Sequence, residues 1–296
     1  MSGGPQVVEG KLVILAAGVS SRMKKPAPVQ IDSAIVTDAD KKVKAMIGVG
    51  EGQRPFLDYL LYNARAAGYR DVVLVVGEEN EPFRQYYGRQ DSGNLFYGLT
   101  ISYAVQLIPA GRTKPPGTAD ALVRCLEVRQ DWKGKQFTVC NSDNLYSSRG
   151  LKLLLDCPAE CSMIDYDRRA LGLEWERVEQ FAVLSKSADG RLLDIIEKPT
   201  PDIVAGVNDE TGRVGVSMNI FRFRYELIEP FLRSVPFHPV RQEKELSTAV
   251  AMMLREFPGS LVAIPLSERV PDLTGRSDIA AVQKFLVQEH PNFSWL

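Results

Sequence analysis

Hydrophobic positions alternate between two periods along the first half of the chain. Short apolar runs, "KLVILAAG", "DVVLVVG", "LTISYAVQ" and "QFTVCNSD", read as buried strands. Between them, "PFLDYLLYNARAAG", "NEPFRQYYG" and "GTADALVRCLEV" read as helices. In the first of these Leu57, Leu60, Leu61 and Ala64 share a face, Pro55 suits the first turn and Gly68 supplies a stop. Strand and helix in regular succession predict a mostly parallel sheet with helices on both faces.

After Ser148 the pattern shifts to "AECSMIDYD", "QFAVLSKSADGRLLDIIEKP" and "RVGVSMNIFRF", with Asp189-Gly190 as a hairpin turn. These segments are expected to extend the sheet. Two amphipathic helices follow, "RYELIEPFLRSV" and "QEKELSTAVAMMLREF", then a strand "SLVAIPL" and a last helix "SDIAAVQKFLVQEH" with Ser277 as its N-cap. No internal repeat or low-complexity linker interrupts the 296 residues, so a single domain is expected, with a first half over 1–148 and a second over 149–296.

Composition narrows the function classes. Lys and Arg number 36 against 37 Asp and Glu, which argues against a nucleic-acid polyelectrolyte partner. No apolar run approaches a membrane span and the N-terminus lacks the regions of a signal peptide, so a cytoplasmic location without membrane association is expected. Cys125, Cys140, Cys157 and Cys161 show no CxxC spacing, and His238 and His290 each precede a proline. A zinc site or disulfide framework is therefore not expected, and the cysteines read as reduced packing residues.

In parallel sheets ligands gather beyond the carboxyl ends of the strands. The loop after the first strand, "AAGVSSRMKK", places nearly side-chain-free Ala16, Ala17 and Gly18 beside Ser20, Ser21, Arg22, Lys24 and Lys25. Small residues let an anion approach backbone N–H groups, and the hydroxyls and guanidinium add donors. The loop matches neither GxGxxG nor GxxxxGK[ST], so a dinucleotide enzyme and a P-loop hydrolase are disfavoured. A turn whose serines satisfy local backbone is the competing reading.

Two more strand-end loops carry chemistry. Asp143 follows "FTVCNS", where a carboxylate either holds Mg²⁺ against a phosphate or caps the turn. Gln106 ends a strand, and Gly117-Thr118 opens a helix. A glutamine amide that accepts from an imide N–H and donates to its neighbouring carbonyl fits uracil, thymine or guanine.

Taken in order, "LAAGVSSRM", "KAMIGVGEGQRPFLDYLLYNARAAGYRDVVLVVG", "PPGTADAL", "NSDNLY", "IIEKP" and "VSMNIFRF" resemble the sugar-nucleotide pyrophosphorylases, the sugar-1-phosphate nucleotidyltransferases. The resemblance implies a three-layer α/β/α, GT-A-like (Rossmann-like) fold around a mixed, mostly parallel sheet, Mg²⁺ as cofactor, and an NTP and a sugar 1-phosphate as substrates. It implies UTP or dTTP before GTP. Carried onto this chain, it gives Arg22 and Lys44 the reacting phosphates. Leu15, Ala16, Ala17, Gly18, Ser20, Ser21, Gln106, Gly117, Thr118 and Asp120 would bind the nucleotide. Glu197, Lys198, Asn219 and Ala182 would meet the sugar phosphate, and Asp143 and Asp272 the metal.

The chain departs from the family pattern in four places. Ser20 and Ala182 replace glycines, 26–43 is an insertion ahead of Lys44, and the late aspartate motif reads "PDLTG", with Asp278 competing for the ligand role. Asp278 also suits the first turn of the final helix. A GT-A-type glycosyltransferase and a catalytically silent sugar-nucleotide-binding subunit remain as alternatives. "FHPVRQEKELSTAV" is either an interface of a homo-oligomer or a solvated segment.

Overall fold

The computed structural model describes residues 9–19, 23–24, 37–40, 42–209 and 211–295. Ser20, Ser21, Arg22, Lys25 and most of the insertion lie outside the described residues. Four parallel strands form the centre: β1 (Gly10–Leu15), β2 (Tyr69–Val76), β4 (Leu99–Val105) and β5 (Gln136–Asn141). The short β3 (Asn94–Phe96) runs antiparallel at the β4 edge. Only three residues long and bounded by Gly93 and Gly98, it gives too little alternation to be read as a strand.

Beyond β5 the sheet becomes mixed. β10 (Phe221–Arg224) runs antiparallel between β5 and β6 (Cys161–Asp167), and β11 (Leu261–Leu266) pairs parallel on the other side of β6. The hairpin of β7 (Val183–Lys186) and β8 (Leu192–Ile196) joins through β9 (Gly215–Val216). Gly190 takes a φ of 78° in the hairpin turn, as Asp189-Gly190 predicts.

Among the described residues, the helices after residue 55 are α1 (Phe56–Ala67), α2 (Glu81–Tyr87), α3 (Thr118–Val128), α4 (Ser148–Asp156), α5 (Trp175–Val178), α6 (Pro201–Gly206), α7 (Tyr225–Ser234), α8 (Leu246–Glu256) and α9 (Ile279–Glu289). They enclose the sheet between two apolar layers. Leu12, Ile14, Val72 and Leu74 face α1 and α4, whereas Val13, Val73, Val139 and Phe223 face α3, α7 and α8. Strand alternation thus feeds both layers, which is why these strands read as nearly continuous apolar runs.

Two sequence expectations change. "RVGVSMNIFRF" is not one strand: Asn219 adopts φ 55°, separating β9, which reaches β7, from β10, which reaches β5. Ser277 does not cap the last helix, because a 3₁₀ turn over Arg276–Asp278 precedes α9 and Asp278 occupies the N-cap. The Asp278 carboxylate accepts from the N–H groups of Thr274 (2.9 Å) and Gly275 (2.7 Å), so it organises the turn before the helix.

Asp165 of β6 lies under the β7–β8 hairpin. Its Oδ2 meets Lys186 Nζ at 2.5 Å and Arg213 at 2.8 Å, and its side chain is 2% exposed. Two cations around one buried carboxylate pin the hairpin to the sheet. All four cysteines are free thiols, three of them buried.

Candidate active site

The carboxyl ends of β1, β4 and β5 open into a cavity of about 390 Å³. Its floor is Leu15, Ala16, Ala17 and Gly18, continuing from β1. The first of these are held by the sheet, since Ala16 N–H donates to Val75 O (2.8 Å) and Ser142 N–H to Leu15 O (3.2 Å). Gly18 lines the cavity, and a Cβ built on it meets nothing within 4 Å.

On one side stand Lys44 and Asp143. Lys44 opens a 3₁₀ turn over Lys44–Met46 whose Ala45 and Met46 are buried, and its Nζ reaches Asp143 Oδ2 at 3.0 Å. The pair is 17% and 27% exposed, so the ammonium is fixed beside the end of β5 rather than solvated.

On the other side stand Gln106, Gly117 and Thr118. Gln106 is 2% exposed, and its Nε2 donates to Gly117 O and to Asp120 Oδ2, both at 2.9 Å. Both amide hydrogens are thereby committed within the protein. The donor half of the sequence reading, in which the amide also donates to a base carbonyl, does not hold in this arrangement. Asp120 points to Gln106 and to Arg124 and does not line the cavity.

Gly117 is required by geometry. At φ 117° and ψ −179° it occupies a region that side chains avoid, and its Cβ would lie 2.5 Å from Lys244 O. Residues 236–245 form the wall it touches: Lys244 N–H donates to Pro116 O (2.6 Å), Ala119 N–H to Lys244 O (3.0 Å), and Leu246 N–H to Thr118 Oγ1 (2.9 Å). Glu243 of that wall faces the cavity in an ion pair with Lys114 at 2.5 Å. Nothing local in the sequence signals Glu243, because the chain brings it across from 129 residues away. Glu243, within the stretch read as an interface or a solvated segment, thus lines the cavity.

Asp272 is brought to Asp143 by backbone pairing. Asn144 and Asp272 form an antiparallel bridge, with Leu273 N–H to Asp143 O at 2.8 Å and Leu145 N–H to Pro271 O at 2.9 Å. Burial raises the Asp272 carboxyl above its ordinary range, and the charge of Asp143 adds to the effect. Arg177, at 2.7 Å from Oδ2, and the Thr274 hydroxyl, at 2.5 Å from Oδ1, oppose it. Arg177 also holds Asp278 at 2.9 Å. The sequence offered no sign of Arg177, which sits on a four-residue helix in a polar stretch.

The residues expected to meet the sugar phosphate gather at a neighbouring corner. Val183 pairs with both Ile196 and Val216, which brings Ala182, Glu197 and the Ser217–Asn219 segment together. Glu197, Lys198 and Asn219 are exposed, Lys198 and Asn219 have positive φ, and none of these four residues lines the cavity itself. Arg241, in the 236–245 wall, lies close enough to Glu197 for that carboxylate to help raise its pKa, after Glu245, the main cause.

Two solved structures share this architecture. A UDP-glucose pyrophosphorylase complexed with UDP-glucose superposes with a TM-score of 0.68 at 14% identity, covering 96% of this chain and 100% of the other. A UTP-bound UGPase from Acinetobacter baumannii gives 0.66 at 16% identity, covering 96% and 95%. At these identities the likeness is one of fold, and it is the mixed α/β/α arrangement expected from the sequence. The nucleotidyl transferase family model matches residues 37–256. That span takes in every wall of the cavity except the end of β1 and the loop after it, and by it the chain belongs to the nucleotidyl transferase family.

Proposed function

We propose that this protein joins an NTP to a sugar 1-phosphate, giving an NDP-sugar and pyrophosphate, with UTP or dTTP as the nucleotide. The observation that carries the reading is the polarity of the cavity. A buried glutamine and a glycine stand at one end, an ammonium–carboxylate pair at the other, and the small residues Ala16, Ala17 and Gly18 line the floor between them. A base, a ribose and a chain of phosphates fit that order.

In this reading a phosphate oxygen of the sugar 1-phosphate attacks the α-phosphorus of the NTP, and pyrophosphate leaves. Both reactants are anionic, so the tasks are neutralising charge and aligning the groups, and no protein nucleophile is required. Lys44 Nζ supplies charge at the phosphates, with Arg22 as its partner from the loop after β1. Glu197, Lys198, Asn219 and Ala182 form the sugar-phosphate side.

The donor set suits a magnesium ion. Asp143 lines the cavity, and Asp272, outside that lining, lies close enough for the Asp143 charge to bear on its carboxyl; each holds a cationic side chain, and Mg²⁺ takes one or two carboxylates with phosphate oxygens and water completing its shell. Among the described residues no group of three or more His, Cys, Asp or Glu forms a complete protein cage. When bound, the ion would offset phosphate charge as a Lewis acid.

The test is pyrophosphate release across a panel of NTPs and sugar 1-phosphates with Mg²⁺. Release that requires both substrates supports the reading. A glycosyltransferase would instead liberate a nucleoside diphosphate from an NDP-sugar, and a silent subunit would bind the NDP-sugar with no turnover.

A further inference from the structure

We infer that Asp120, backed by Arg124, is a positioning residue that locks the Gln106 amide with only its oxygen available to a ligand, and so selects a base presenting an N–H there. The inference rests on the nucleotidyltransferase reading of the cavity and deepens it.

Gln106 is held from several directions. Its backbone N–H donates to Val76 O at 2.8 Å, which anchors it at the end of β4. Its Nε2 lies 2.9 Å from Gly117 O and 2.9 Å from Asp120 Oδ2. A carbonyl and a carboxylate are acceptors only, so the amide has one permissible orientation. A flip would bring Oε1 against two oxygens in a site where Gln106 is 2% exposed.

Asp120 is itself fixed. Its Oδ1 accepts from Arg124 at 3.0 Å, one turn along α3, and Arg124 is steadied by Glu127 Oε2 at 2.7 Å. Asp120 is within the first turn of α3, where a carboxylate suits the helix dipole. It does not line the cavity, so its effect on a nucleotide passes through Gln106.

With both amide hydrogens spent, Oε1 is the group left for a base edge. Uracil and thymine carry N3–H at the imide position. Cytosine, of nearly the same shape, carries a lone pair at N3, and two acceptors facing each other in a buried site repel. Without Asp120, Gly117 O holds only one of the two amide hydrogens, and the flipped amide that would donate to cytosine N3 becomes accessible.

The experiment is calorimetric titration of UTP and of CTP, in Mg²⁺ buffer, into the full-length wild type, Asp120→Ala and Arg124→Gln. Wild type is expected to prefer UTP by on the order of 100-fold. Asp120→Ala is expected to lower that ratio about tenfold, and Arg124→Gln, which removes only the outer anchor, roughly threefold. A loss of packing alone would weaken both nucleotides together and leave the ratio unchanged. If Asp120→Ala does not fold, as judged by thermal melting, Arg124→Gln carries the test, since its side chain is 40% exposed. An unchanged ratio in a folded variant overturns the relay and leaves the nucleotide cavity standing, as does a wild type that binds both nucleotides equally. A wild type that binds neither overturns the reading of the cavity and the relay with it.

Discussion

Replacing Gly117 by alanine tests how the base end of the cavity is built. Two costs can be separated. The backbone sits at φ 117°, ψ −179°, and holding a side-chain-bearing residue in such a region costs about 1–3 kcal/mol. The new methyl would lie 2.5 Å from Lys244 O and 2.8 Å from Lys244 N. Those backbone atoms cannot yield freely, because both hydrogen-bond across the same junction. Overpacking of this kind costs about 1–3 kcal/mol, so the total is about 2–6 kcal/mol. At roughly 2 °C per kcal/mol for a domain of this size, the melting temperature should fall by about 4–12 °C. Gly93→Ala is the matched control: φ is 79°, but no atom lies within 4 Å of the added methyl. It should lose only the left-handed backbone cost of about 1–2 kcal/mol. Thermal melting and urea titration of both variants measure the difference. A Gly117→Ala protein no less stable than Gly93→Ala would refute the close junction between the start of α3 and the 236–245 wall.

Three outcomes can be measured at other contacts of the fold. Asp165→Ala strands Lys186 and Arg213 under the β7–β8 hairpin, and should cost about 3–5 kcal/mol by urea unfolding, with protease cleavage of the hairpin rising in parallel. Thr118→Val removes the acceptor of Leu246 N–H and should destabilise by about 1–3 kcal/mol, read as a lower urea midpoint at unchanged slope. Burial against Tyr59 and Tyr62 lowers the His290 pKa from its ordinary 6.5, with Glu289 opposing. Its stabilising contribution is therefore complete above 6.5 and is lost as pH falls through the depressed folded value. His290→Phe should flatten stability against pH in that window, and an equal acid slope in both proteins would exclude His290 as its source.

The sequence was most legible where a segment buries both faces or turns sharply. Val13 and Ile14 feed opposite layers of the core, so β1 reads as an apolar run, and Gly68 and Gly190 mark turns that demand positive φ. Loops at strand ends located Gln106, Gly117 and Asp143, and the family resemblance added Lys44; all four line one cavity. What stayed hidden depends on long-range approach. Glu243 reaches the cavity only because the loop before α8 lies against the start of α3, and Arg177 reaches Asp272 from a short helix with no periodic signature. Hydrogen-bond direction was also beyond sequence: the Gln106 amide reads as donor and acceptor until Gly117 O and Asp120 claim its hydrogens. The interruption at Asn219 escaped notice because "SMNIF" alternates like a strand, while the left-handed residue splits its pairing between β7 and β5.

In the proposed function the cavity beyond β1 and β5 performs nucleotidyl transfer with Asp143 at its reacting end. The most direct measurement compares wild type and Asp143→Asn for pyrophosphate release from UTP and a sugar 1-phosphate in Mg²⁺, after thermal melting has shown both to be folded. Release by the wild type is expected to depend on both substrates, with none above background from Asp143→Asn. Equal turnover by the two proteins, or no sugar-phosphate-dependent release by the wild type with any NTP, would contradict it.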